Sequence, residues 1–164
     1  IRLRCYGPDS DFGLLEIKQK EGPMQKKRSL RLSREEAVRL TKGDYGVLLS
    51  CREPLARECY AVMNMYGYRP RSVVEYRRRA FIARENKIRV TFDHHIVGTE
   101  SSFDIFDGSL TQYPVQDQSL VVLEVKYNGF LLSYIKDMLS SCAAGEISVS
   151  KYCLSRNVGK HFNF

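Results

Sequence analysis

The sequence predicts an α+β fold of antiparallel strands on short turns, with helices flanking the sheet. Three patterns carry that prediction. Strand-like stretches alternate a charged stripe with an apolar one, Gly/Pro/Asp turn signals separate them closely, and a few segments space their apolar residues at helical intervals instead. The stretch Val121 to Tyr127 sets the pattern. Side chains alternate across a strand, so Glu124 and Lys126 share one face while Leu123, Val125 and Tyr127 take the other. Taken alone, such a pair is a surface ion pair worth at most ~1 kcal/mol. The layout recurs, however, at Glu16, Lys18 and Lys20 backed by Leu15 and Ile17, at Arg2 and Arg4 in the first strand, and through Lys87 to Asp93.

Two arrangements satisfy these stripes. Charged faces converging inside a barrel would line a binding site for a polyanion; facing outward, they would make a basic surface. Two like charges ~8 Å apart repel by about 2 kcal/mol at an effective dielectric near 20, so an empty ring of cations is costly and expects phosphate.

In order along the chain, residues 1 to 6 form a strand ending at the Gly7-Pro8-Asp9 turn, and 13 to 20 form the second. Glu21-Gly22-Pro23 turns again. Lys26 to Leu32 then sets Lys27, Ser29 and Arg31 against Arg28, Leu30 and Leu32, completing a meander. Ser33-Arg34-Glu35-Glu36 spells a capping box for a short helix to about Thr41. Pro54 suits the first turn of a second helix, with Leu55, Cys59, Val62, Met63 and Tyr66 at core spacing and Gly67 as its stop.

Ser72 to Ile82 returns to strand character, with Val74, Tyr76, Arg78 and Ala80 on one face and Val73, Glu75, Arg77 and Arg79 on the other. That alternation splits the Arg77-Arg78-Arg79 run and argues against a localisation signal. Lys87 to Asp93 is the next strand, and Phe103 to Phe106 an irregular edge. Leu131, Leu132, Ile135, Met138 and Leu139 give an amphipathic helix that Gly145 ends. Ile147 to Cys153 reads as a last strand, and Ser155 to Phe164 as a loose tail.

With 164 residues, 43% hydrophobic and 27% charged, the chain suits one compact domain with a real core. A formal charge of +7 points to an acidic partner such as nucleic acid, nucleotide, polyphosphate or a membrane surface. Five cysteines without a Cys-x-x-Cys pair argue against a disulfide framework and a zinc site, and for a reducing, cytoplasmic compartment. No apolar run reaches the ~18 residues a membrane span needs. Because the chain begins inside an alternating strand, an N-terminal part of the domain is expected to be absent.

The stripes, taken in order, resemble a family. Arg2-Leu3-Arg4, Leu15-Glu16-Ile17-Lys18, Lys27-Arg28, Tyr76 to Phe81, Ile88 to Asp93, Leu123-Glu124-Val125-Lys126 and Ser150-Lys151-Tyr152 look like the VTC domain. This is the polyphosphate polymerase domain of vacuolar transporter chaperone type, within the triphosphate tunnel metalloenzymes. The resemblance implies an eight-stranded antiparallel β-barrel with a basic lumen, and transfer of the ATP γ-phosphoryl onto polyphosphate. Position by position, it implies that Arg2, Arg4, Lys18, Lys27, Arg78, Arg89, Lys126 and Lys151 bind phosphate. Arg78, Arg89, Lys126 and Lys18 carry the catalytic load, and Glu124, with Glu16 second, holds Mn²⁺ or Mg²⁺. The resemblance also implies a basic and acidic opening strand, and usually another, before Arg2-Leu3-Arg4; both are expected to be absent here, and with them a closed barrel.

These residue types suit phosphoryl transfer, where positioning and charge neutralisation do most of the work: arginines give forked contacts, lysines point charges, and a carboxylate a hard metal ligand. Three other readings compete with polymerisation: an inorganic triphosphatase, a non-catalytic polyanion-binding module, and a nucleic-acid binder. The last is disfavoured because only Tyr6 and Tyr76 clearly share the basic faces. Asp93-His94-His95 matches the letters of a phosphoesterase motif but lacks companion aspartates, so it reads as a turn or surface histidine pair. With His161 in the tail, no three-histidine zinc site forms.

Overall fold

Alternating residues make a long ladder from neighbouring strands. In the structure, a computed structural model that describes residues 1–21, 24–142 and 147–157, β1 (Arg2–Arg4), β2 (Phe12–Glu21) and β3 (Met24–Ser33) pair antiparallel in that order. Their register sets Arg2 opposite Glu16, Lys18 opposite Lys27 and Leu15 opposite Leu30. Arg2, Arg4, Lys18, Lys27 and Arg31 therefore share one face, and Leu3, Leu15, Ile17, Leu30 and Leu32 the other, where Arg28, opposite Ile17, pairs with Glu58 of the covering helix. The turn expected at Gly22-Pro23 lies outside the described residues.

Two helices cover the apolar face. Leu15, Ile17, Leu30 and Leu32 are buried with Ala37 and Leu40 of α1 (Arg34–Thr41) and Ala56, Cys59 and Met63 of α2 (Pro54–Met65). A 3-10 segment, Tyr45–Ser50, adds Tyr45, Val47 and Leu48. Burying each large aliphatic side chain contributes about 1.5–3 kcal/mol, so this core is what holds the sheet. The capping box forms as expected: the Ser33 hydroxyl accepts from the Glu36 amide at 3.2 Å, and the Glu36 carboxylate accepts from the Ser33 amide at 2.8 Å. Gly13 allows α1 to approach β2, since a Cβ there would lie 2.7 Å from the Ala37 Cβ.

The second sheet orders β4 (Val73–Ile82), β5 (Arg89–Thr99) and β6 (Tyr113–Pro114), and β7 (Val122–Lys126) also pairs with β5. Two helices follow, α3 (Ser133–Ser140) and α4 (Lys151–Asn157). The described chain falls into two compact units, Ile1–Val73 with Glu100–Thr111, and Val74–Thr99 with the described residues from Gln112 on. The second unit buries little oil, chiefly Ile88, Ile96 and Ile135, and much polarity, namely Thr91, Asp93, Thr99 and Ser155.

The architecture is thus mixed α+β with antiparallel sheets. Among the described residues both sheets are open, and the closed eight-stranded barrel is not seen. Several local expectations need correction. Ile147 to Cys153 is not a strand: the Ser150 hydroxyl accepts from the Cys153 amide at 3.2 Å and starts α4. Ser155, expected in a loose tail, is buried in that helix; residues 158–164 lie outside the described residues, as does Gly145. Phe103 to Phe106 forms no edge strand, because Asp104 accepts from the Phe106 amide at 3.0 Å in a local turn that sends Phe106 into the first unit's core. The expected buried face of α3 is narrower than its spacing suggested, with Ile135 buried and Met138 exposed.

His94 and His95 do not end a strand. They sit inside β5 as a bulge, with His95 at φ 51° and the buried positions switching from Thr91 and Asp93 before it to Ile96 and Gly98 after it. One extra residue resets the alternation, which is why the sequence pattern broke at Asp93.

Candidate functional site

Polar side chains gather on one face of the second sheet. Arg89, Thr91 and Asp93 alternate along β5, and the β7 register, Arg89 to Lys126 and Thr91 to Glu124, brings Lys126 and Glu124 onto the same face. Arg78 joins from β4 and Lys151 from the first residue of α4. The Asp93 carboxylate is at the centre, 0% exposed. Its Oδ1 accepts from Arg78 Nε at 2.5 Å and its Oδ2 from Arg78 Nη2 at 2.7 Å, while Lys151 Nζ lies 2.7 Å from Oδ2. The Tyr76 ring backs both cations, 5.2 Å from the Arg78 guanidinium carbon and 4.9 Å from Lys151 Nζ.

Glu124 differs in being 40% exposed, with Lys126 Nζ 3.1 Å from Oε1 and Arg78 Nη2 3.9 Å from Oε2. Burial pushes both carboxyls up, but hydrogen bonds and charge from Arg78 and Lys151 at Asp93, and from Lys126, Arg78 and Lys151 at Glu124, outweigh it. Both are held below the ordinary range. Donating to Asp93 likewise raises the Arg78 guanidinium. Arg89 stands apart: it makes no ion pair among the described residues, and its buried Nε has no hydrogen-bond partner.

In the first unit, the shared face of β1, β2 and β3 centres on Glu16, 2% exposed. Arg2 pairs with its Oε2 and Lys27 with its Oε1. Burial pushes the Glu16 carboxyl up, and the bonds from Lys27 and Arg2 bring it below the ordinary value. Arg4 and Lys18 lie on the same face without an ion pair among the described residues, Arg4 stacking 4.5 Å from the Tyr6 ring centroid. Both units therefore offset like-charge repulsion with a buried acid, yet keep more cations than carboxylates on the face.

The sequence reading missed Asp93 as part of this arrangement. Its signal is the strand spacing after Arg89 and Thr91, interrupted by neighbouring histidines that spell a different motif.

The acids differ in their fitness for a metal. No group of three or more His, Cys, Asp or Glu side chains clusters among the described residues. Mg²⁺ and Mn²⁺ at phosphate sites need only one or two carboxylates, with substrate oxygens completing the shell. Glu124, half-exposed and with its Oε2 no closer than 3.9 Å to Arg78 Nη2, fits that donor set; Glu16 is buried with both oxygens in close ion pairs.

The chain matches the VTC domain over residues 1–159. It belongs to the VTC domain family. No curated protein matches it. The VTC domain family is associated with polyphosphate synthesis, which relates this VTC domain to polyphosphate and nucleotide chemistry. No helix among the described residues is long and apolar enough to cross a membrane.

Proposed function

We propose that this VTC domain is a polyphosphate-forming phosphotransferase that binds ATP or triphosphate on its basic faces. The observation that carries the reading is Arg89: a guanidinium with a buried, unpartnered Nε on a face where four cations meet two carboxylates. A phosphate oxygen is the acceptor such a group lacks. In this reading each basic face is a phosphate-binding surface of the triphosphate-tunnel type.

The chain's own residues take these roles. On the second unit's face Arg78 and Arg89 grip the transferring phosphoryl group by forked contacts and Lys126 neutralises its oxygens, while Lys18 neutralises phosphate oxygens on the first unit's face. Arg2, Arg4 and Lys27 hold phosphates on the first unit's face, and Lys151 holds them on the second's. A terminal oxygen of the polyphosphate attacks the γ-phosphorus, a new P–O bond forms, the bond to the β–γ bridging oxygen breaks, and ADP leaves. Glu124 would hold Mn²⁺ or Mg²⁺ together with substrate oxygens, and the ion would supply further charge neutralisation. A cytoplasmic setting is part of this reading, because five cysteines without a Cys-x-x-Cys pair suit a reducing compartment.

Incubation with ATP and Mn²⁺, followed by gel separation of products, tests the proposal. A ladder of lengthening polyphosphate supports it. Free phosphate alone makes the protein a triphosphatase, and binding without turnover makes it a polyanion-binding module; either result overturns polymerisation. Glu124→Gln is expected to abolish metal-dependent turnover with the fold intact, and an unchanged rate would remove Glu124 from the metal site.

A further inference from the structure

Asp93 is fully buried and negatively charged, so it is no phosphate ligand, yet the two cations nearest it are oriented by it. It engages Arg78 along the Nε and Nη2 edge, at 2.5 and 2.7 Å. The guanidinium's other edge, Nη1 with the second hydrogen of Nη2, is the fork that matches two phosphate oxygens, and Nη1 has no hydrogen-bond partner among the described residues. The same carboxylate holds Lys151 Nζ at 2.7 Å, and the Tyr76 ring stands behind both. The two cations come from a strand and from a short helix that the sequence does not otherwise bring together.

We propose that Asp93 is a positioning residue that presets Arg78 and Lys151 as a single anion-gripping pair, with Tyr76 as the wall against which they are held. This rests on the phosphate-binding reading above. A buried carboxylate that served only as counter-ion would oppose anion binding by its charge; one that sets geometry favours binding despite its charge. The two roles therefore predict opposite signs for one substitution.

Asp93→Asn adds one positive charge to the face and keeps the side-chain shape. The experiment is calorimetric titration with tripolyphosphate, without metal, at several salt concentrations, alongside NMR of the Arg78 Nε–H, assigned by its absence in Arg78→Lys. The expected result is at least a tenfold loss of affinity in Asp93→Asn, with the Arg78 Nε–H moving from slow to fast solvent exchange. Should Asp93→Asn fail to fold, Asp93→Asn/Lys151→Met, compared with Lys151→Met, removes a cation with the carboxylate and reads Asp93 through Arg78 alone. The same loss is expected across that pair. Affinity unchanged or tightened on removal of the carboxylate overturns the inference while leaving phosphate binding intact. Absence of tripolyphosphate binding by the wild type overturns the phosphate reading, and this one with it.

Discussion

Replacing Arg78 by methionine keeps most of the side chain's bulk and removes its charge. Arg78 makes two charge-assisted hydrogen bonds to a carboxylate with no solvent exposure. Bonds to charged groups contribute ~1.5–3 kcal/mol each, and stripping one partner from a buried pair costs about 3–5 kcal/mol. Two features reduce that figure: Arg78 is itself 22% exposed, and Lys151 remains on Oδ2. The expected loss is about 2–3 kcal/mol, which for a chain of this length lowers the melting temperature by roughly 4–12 °C. Thermal unfolding followed by circular dichroism at pH 7 measures it. Arg77→Met, on the exposed opposite face, serves as the control and should stay within ~0.5 kcal/mol. A drop in Arg78→Met no larger than the control's would refute the argument that Asp93 depends on Arg78.

Tripolyphosphate at about 100 times its dissociation constant should stabilise the protein by about 2.7 kcal/mol, a melting shift of roughly 5–11 °C. The shift should shrink at about 0.5 M salt, and equal melting points with and without ligand would count against the basic faces as a site. Acid should weaken the fold through Asp93 and Glu16: both carboxyls are held below their ordinary values, so their contribution is complete above about pH 5 and is lost as pH falls through the ordinary carboxyl range towards the depressed values. Urea midpoints that rise on acidification would contradict this. Gly13→Ala should destabilise by about 1–3 kcal/mol through the clash with Ala37, and Ala37→Gly in the same chain should recover part of it; an unperturbed single variant would show that β2 and α1 part easily.

The first unit was legible in the sequence because its instructions are local. Alternation over Phe12 to Ser33 gives both register faces, the Ser33 box starts α1 where it should, and Pro54 opens α2. In the second unit, local rules met exceptions. The bulge at His94 and His95 hid half of β5, and Ser150 turned a β-branched stretch into a helix start. The six-residue segment Tyr45–Ser50 carries no periodic pattern long enough to announce a 3-10 helix. Lys151 reaches its basic face from α4 and not from the strand that its alternating neighbours predict.

What the sequence by itself determined is which residues are cationic and which side of each regular strand they take, since a two-residue period is a property of the chain alone. Family membership followed from the order of those stripes. Only the tertiary structure decided how the charges are balanced. Asp93 meets Lys151 across 58 positions of sequence, and Glu16 takes Arg2 on one oxygen and Lys27 on the other. Ion pairing depends on distances of a few ångströms between segments far apart in the chain, and no local pattern encodes them.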